Sequence, residues 1–134
     1  PPAGADFDAL MHTNVLGAMQ ALPQVAPRVA AANGVFAVLS SGMSLIASVQ
    51  ASDCWLYRVS KAALNMAVAS ARNDYPGATL VVLDPGWVRT DMGGASAAIT
   101  PQESVHDLRA LLAKVTPADN GAFLHRDGRR ERHW

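Results

Sequence analysis

The chain has 134 residues, with 11 Lys plus Arg balanced by 11 Asp plus Glu, so it has no net charge to steer it toward nucleic acid or an anionic membrane. Half of its residues are hydrophobic and only 16% are charged, a balance too apolar for disorder and one that predicts a single globular domain over residues 1–134. The longest unbroken apolar run is the five residues Val35 to Leu39, which excludes a membrane-spanning helix.

The first residues are Pro1-Pro2, with no Met and no charged-then-apolar leader, so a clipped start is expected and no secretory signal is visible. The single Cys54 has no internal partner, which fits a reducing, cytoplasmic setting and an unremarkable small side chain in a loop.

Apolar residues from Phe7 through Leu10, Met11, Val15, Ala18, Leu22, Val25 and Val29 recur at spacings of three and four, predicting a long helix over 6–32. Pro23 and Pro27 each remove a backbone donor and crowd the preceding turn, so a bend or break is expected between Met19 and Val25. Asn33-Gly34 stops the helix. Val35–Leu39 is apolar on both faces, the pattern of a strand buried in a parallel sheet. The stretch 42–53 has no clear period. Helix spacing returns from Cys54 to about Asn73 and ends at Pro76-Gly77.

Thr79–Leu83 reads as a second doubly apolar strand, followed by Asp84-Pro85-Gly86. Pro101 after Thr100, with Glu103 in the third helical position, signals a helix over about 101–115. Gly121–Leu124 reads as a last short strand, and the basic stretch Arg129 to Arg132 as a solvated terminus. The order predicts an α/β fold with a three-stranded parallel sheet and flanking helices. An apolar, unblunted Val35–Leu39 is unusual at a sheet edge and is expected to have a further neighbour outside this sequence.

In such sheets the functional crevice lies beyond the carboxyl ends of the strands. Ser40-Ser41-Gly42 follows the first strand, and Asp84 to Met92 follows the second. Tyr57 and Lys61, four residues apart, share one helix face whose early turns reach the same mouth. At about 5 Å and an effective dielectric of about 20, an ammonium favours a phenolate by roughly 3 kcal/mol, which suits Tyr57 to general acid–base work. The spacing alone is common on exposed helices, where it is only a surface pair. The four His, at 12, 106, 125 and 133, have no metal-ligand spacing, and no metal is expected.

The run Tyr57-Arg58-Val59-Ser60-Lys61, preceded by Asn14-Val15-Leu16-Gly17 and Ser40-Ser41 and followed by Pro85 to Met92, resembles the short-chain dehydrogenase/reductase family. The ending Gly121 to Leu124, with Asp127-Gly128 and Trp134, is most similar to its C-factor and sniffer-type carbonyl-reductase branch. The resemblance covers Phe7 to Trp134. It implies the C-terminal part of a Rossmann-type doubly wound sheet and an NAD(P)-dependent oxidoreductase that interconverts a carbonyl and an alcohol.

Carried over by position, Tyr57 would be the proton donor and Lys61 would favour its ionised form while holding the nicotinamide ribose. Ser41 would orient the carbonyl, with Ser44 the fallback, and Asn14 would hold a water in the proton relay. Pro85, Gly86 and Val88 would border the nicotinamide, and Thr90 would hydrogen-bond the cofactor, NAD or NADP. The resemblance also implies a homo-oligomer built on the long helix and the Tyr57 helix, and a small carbonyl or alcohol substrate.

No Gly-x-Gly-x-x-Gly turn is present, so the pyrophosphate-binding half is missing from this sequence. That favours an alternative, a non-enzymatic interaction or signalling protein keeping the half-fold. A Ser-nucleophile hydrolase lacks its Gly-x-Ser-x-Gly elbow.

Overall fold

The structure, a computed structural model, describes residues 1–134. Helix α1 (Gly4–Met11) passes through a π-helical turn at His12–Leu16 into α2 (Gly17–Ala31); β1 (Val35–Leu39), α3 (Trp55–Ala71), β2 (Thr79–Asp84), α4 (Pro101–Leu112), β3 (Phe123–His125) and β4 (Arg130–Glu131) follow. The sheet order is β1-β2-β3-β4. β1, β2 and β3 are parallel, and β4 returns antiparallel to β3. No helix is long and apolar enough to cross a membrane.

The local signals that start and stop these elements are physical. Asn33 takes a left-handed backbone (φ 49°), which turns the Gly34 amide back onto the Val29 carbonyl at 2.9 Å and closes α2. Thr100 and Glu103 form a reciprocal capping box on α4, with Pro101 in the first turn where a missing amide proton costs nothing.

β2 alternates between two cores. Leu80 and Val82 face the larger one, with Leu22, Ala26, Val38, Leu64, Val68 and Phe123. Val81 and Leu83 face the smaller one, with Leu108, Ala122 and Leu124. These two faces follow from the period of two along a strand, and each fully buried aliphatic side chain contributes about 1.5–3 kcal/mol.

Four expectations need correction. The long helix does not break between Met19 and Val25: α geometry continues through Pro23 and Pro27, where Leu22 and Ala26 are buried. The irregular turn lies upstream, where the Gly17 amide donates to the carbonyl of His12, so packing of α2 on the sheet overrides the proline penalty. β1 is not buried on both faces, because in this chain no helix covers Ala37 and Leu39. The sheet has four strands rather than three. The fourth comes from the basic terminus, where Arg130 and Glu131 pair with Leu124 and Phe123.

Candidate active site

The carboxyl ends of β1 and β2 open on one side, and α3 leans across that opening. Lys61 Nζ donates to the Leu39 carbonyl at 2.9 Å, which fixes the second turn of α3 to the end of β1. The ammonium lies 5.8 Å from the centroid of the Tyr57 ring. Burial disfavours the charged form and lowers the Lys61 pKa below the ordinary lysine value. An ammonium has three donors, and the carbonyl contact uses one of them.

Beneath this pair is a buried polar network absent from the sequence reading. Ser40 Oγ donates to Asn65 Oδ1 at 2.7 Å, Asn65 Nδ2 donates to Ser44 Oγ at 2.8 Å, and Ser44 Oγ donates to the Ser41 carbonyl at 2.6 Å. All three side chains are buried and no buried side-chain polar atom lacks a partner. Asn65 is one helical turn beyond Lys61, in an otherwise apolar stretch of α3. A polar amide on a buried helix face was the available signal, since such groups must find partners.

This network separates the three serines. The hydroxyl protons of Ser40 and Ser44 are spent inside the fold. Ser41, half-buried, accepts from the Met43 amide at 3.1 Å and has no protein acceptor for its own proton. Its hydroxyl is therefore free to donate to a ligand oxygen, as those of Ser40 and Ser44 are not.

Asn14 sits at the centre of the π turn. Its Nδ2 donates to Ser60 Oγ at 3.1 Å, and Ser60 Oγ in turn donates to the Tyr57 carbonyl at 2.8 Å. Ser60 is fully buried and thus ties the long helix to the α3 turn that carries Tyr57. From the first turn of α3, Arg58 braces the preceding loop by donating to the Asp53 and Met43 carbonyls and pairing with the Asp53 carboxylate at 2.9 Å.

At the end of β2, Gly86 has φ +82°, and a Cβ there would meet the Arg126 side chain at 3.0 Å and Ile99 at 3.1 Å. The left-handed backbone is what calls for glycine, while the two side chains could give by a few tenths of an ångström. The Gly86 amide donates to Asp84 Oδ1 at 3.1 Å, and Ser104 Oγ of α4 donates to the Pro85 carbonyl at 2.8 Å. Val88 pairs with Ile99 in an isolated parallel bridge. Thr90 is exposed, and its Oγ1 accepts from the Gly93 amide at 3.1 Å. Pro85, Gly86 and Val88 thus lie on a braced turn, whereas Thr90 belongs to the exposed loop beyond it.

The sequence pattern of the short chain dehydrogenase family matches residues 3–99, a span that includes the α3 helix with Tyr57 and Lys61, Ser41 just past the end of β1 and the Pro85-Gly86 turn after β2. The chain belongs to that family. It is 36% identical over 128 residues to C-signal of Myxococcus xanthus, covering 92% of this chain and 76% of that protein. The carbonyl reductase Sniffer of D. melanogaster superposes with a TM-score of 0.90 at 29% identity, over 99% of this chain and 59% of that one. An NADPH-bound carbonyl reductase from chicken fatty liver superposes with a TM-score of 0.87, also at 29% identity and over 99% and 59% of the two chains. The chain thus spans about three fifths of these two reductases, within the α/β architecture of the short-chain dehydrogenase fold.

Proposed function

We propose that this chain carries the catalytic part of an NAD(P)-dependent oxidoreductase that interconverts a carbonyl and an alcohol. The observation that carries the reading is Lys61, anchored on the Leu39 carbonyl and 5.8 Å from the Tyr57 ring, together with a Ser41 hydroxyl two residues beyond Leu39 whose proton has no protein acceptor. Tyr57 gives its phenolic proton to the carbonyl oxygen during reduction and takes it back during oxidation. Lys61 stabilises the phenolate left behind. Ser41 donates to the carbonyl oxygen and orients it. Asn14, linked through Ser60 to the Tyr57 turn, holds a water that returns the proton from solvent.

The residues present suit the nicotinamide and ribose end of the cofactor. Two ammonium protons of Lys61 remain for ribose hydroxyls, and the Pro85-Gly86 turn with Val88 offers backbone groups close to a planar ring, with Thr90 beyond. A bound nicotinamide supplies or accepts the hydride. The reductases similar to this chain are longer, and we assign the pyrophosphate-binding turn and the neighbour of the uncovered β1 edge to a segment outside it. We place the protein in the cytoplasm on its unpaired Cys54, and assign oligomer contacts to the exposed Phe7, Met19, Trp55, Val59 and Met66.

Tyr57→Phe tests the assignment, because it removes the proton and keeps the ring. In the intact protein turnover should fall at least about 100-fold, since proton transfer contributes roughly 10²–10⁴-fold, while cofactor affinity is nearly unchanged. Equal reduction rates for variant and parent would remove Tyr57 from the reaction. The similarity to C-signal supports a second reading, a signalling role that needs no turnover. Biological activity surviving in Tyr57→Phe would favour it.

A further inference from the structure

His125, the last residue of β3, is buried, yet both ring nitrogens face carboxylates. Nδ1 lies 2.9 Å from Asp84 Oδ2 and Nε2 lies 2.9 Å from Glu131 Oε2. A neutral imidazole has one donor and one acceptor, and an ionised carboxylate only accepts. Two carboxylate contacts at that distance therefore require the imidazolium. Burial alone would lower the His125 pKa, but hydrogen bonds to Glu131 and Asp84 outweigh it and raise the value. The other charged groups near the ring are Asp127 and Arg129 of the β3–β4 turn, which pair with each other, and Arg126, which pairs with Asp107 of α4.

Asp84 connects this cluster to the site. Its Oδ1 accepts from the Gly86 amide at 3.1 Å, and a Cβ placed on Gly42 would lie 3.2 Å from its Oδ2. One carboxylate thus lies against both the backbone beside Ser41 and the turn at Pro85-Gly86. Glu131 sits on the edge strand β4 and makes no other side-chain hydrogen bond than the one to His125.

We propose that His125, as the imidazolium, is a positioning residue that couples strand β4 through Asp84 to the Pro85-Gly86 turn and to Gly42 behind Ser41. The coupling is a property of this chain; its importance for cofactor binding rests on the oxidoreductase reading above. When the ring loses its second proton, Nδ1–H stays with Asp84, which the Gly86 amide also holds. Nε2 then presents a lone pair to Glu131, the more exposed of the two carboxylates. Glu131 leaves for water, β4 loosens, and the turn loses its support from that side.

The test is a series of 1H–15N spectra of the intact protein from about pH 5 to 9, following the His125 ring and the amides of Gly42, Gly86 and Glu131. The three amides should inflect at the ring's own midpoint. Glu131→Gln should lower that midpoint, because the new amide donates to the neutral Nε2 and holds β4 in either state. His125→Gln should abolish the inflection and weaken NAD(H) or NADP(H) binding roughly 5- to 10-fold at pH 6, the scale of one ordinary hydrogen bond, because the turn loses support without losing a direct contact. Flat Gly42 and Gly86 shifts through the ring titration, or a midpoint unmoved by Glu131→Gln, overturn the proposal. Amides that co-titrate in a protein binding neither cofactor support the coupling and refute the oxidoreductase reading.

Discussion

Replacing Lys61 with Met separates its electrostatic role from its packing, because the apolar stem is kept and the charge removed. The ammonium lies 5.8 Å from the Tyr57 ring centroid, and at that separation and an effective dielectric of about 20 a unit charge stabilises negative charge developing on the ring during proton transfer by about 3 kcal/mol. Lost from the transition state, that amounts to about a hundredfold in turnover. Cofactor affinity should fall as well, since two ammonium donors are lost to the ribose. Stability should move the other way. Burial already disfavours the cation and lowers its pKa, so the folded chain releases this proton at a lower pH than the unfolded chain. Between the lowered value and the ordinary one the unfolded state binds more protons, and parental stability rises with pH across that window. Lys61→Met removes the desolvation penalty, and the Leu39 carbonyl it vacates is at a strand end open to water.

The assay is steady-state carbonyl reduction by the intact protein, followed by NAD(P)H absorbance, alongside thermal melts of parent and variant at neutral pH. The expected pair of results is a turnover reduced about a hundredfold and a melting temperature equal to or above the parent's. Parental turnover would refute the electrostatic argument. A variant that loses turnover and melting temperature together would show that Lys61 acts mainly as a strut between α3 and β1.

Asn65→Ala leaves the buried hydroxyls of Ser40 and Ser44 without their shared partner and should cost about 2–4 kcal/mol in urea unfolding; a cost below about 0.5 kcal/mol would mean the network rearranges freely. The raised His125 pKa contributes stability that is complete below the ordinary histidine value and lost as pH rises through the folded-state value. Melting temperature should therefore fall across that interval in the parent, and less in Glu131→Gln; a parental melting temperature that is flat or rising there would contradict the assignment. The isolated chain leaves the β1 edge unpaired and Ala37 and Leu39 uncovered, so light scattering should find dimers or aggregates and calorimetry only weak cofactor binding. A monodisperse monomer with micromolar affinity for NAD(H) or NADP(H) would overturn that expectation.

What could be read from the sequence was local, and what escaped it was long-range. The shared face of Tyr57 and Lys61 follows from helix geometry over four residues, and the place of Ser40 and Ser41 follows from the end of a strand, whereas the choice of Ser41 over Ser40 and Ser44 rests on the family resemblance. β2 was legible because its apolar run is covered on both sides. The similar run of β1 was misread: a doubly apolar pattern reports the environment a strand is suited to, and this chain covers only one of its faces. Proline rules misplaced the irregular turn because they price the backbone alone, whereas Leu22 and Ala26 keep α2 regular by packing on the sheet.

β4 was illegible for a related reason. Arg130 and Glu131 have no apolar alternation, and their strand exists through pairing with Leu124 and Phe123 and through Glu131's contact with His125. Asp84 and His125 are 41 residues apart in sequence, so no period links them, and a lone histidine near a terminus resembles any other. Adjacent parallel strands bring them side by side, in register, at the end of the sheet where the site opens. The groups beneath the site reach across the sequence, Asn65 to Ser40 and Ser44 of the loop after β1 and His125 to Asp84 of β2 and Glu131 of β4, and their pairing is fixed by the assembled sheet. The side chains left with uncommitted donors, Ser41 and Lys61, belong to the local signals, because nothing in the long-range packing consumes the donors by which, on the proposed function, they would meet a ligand.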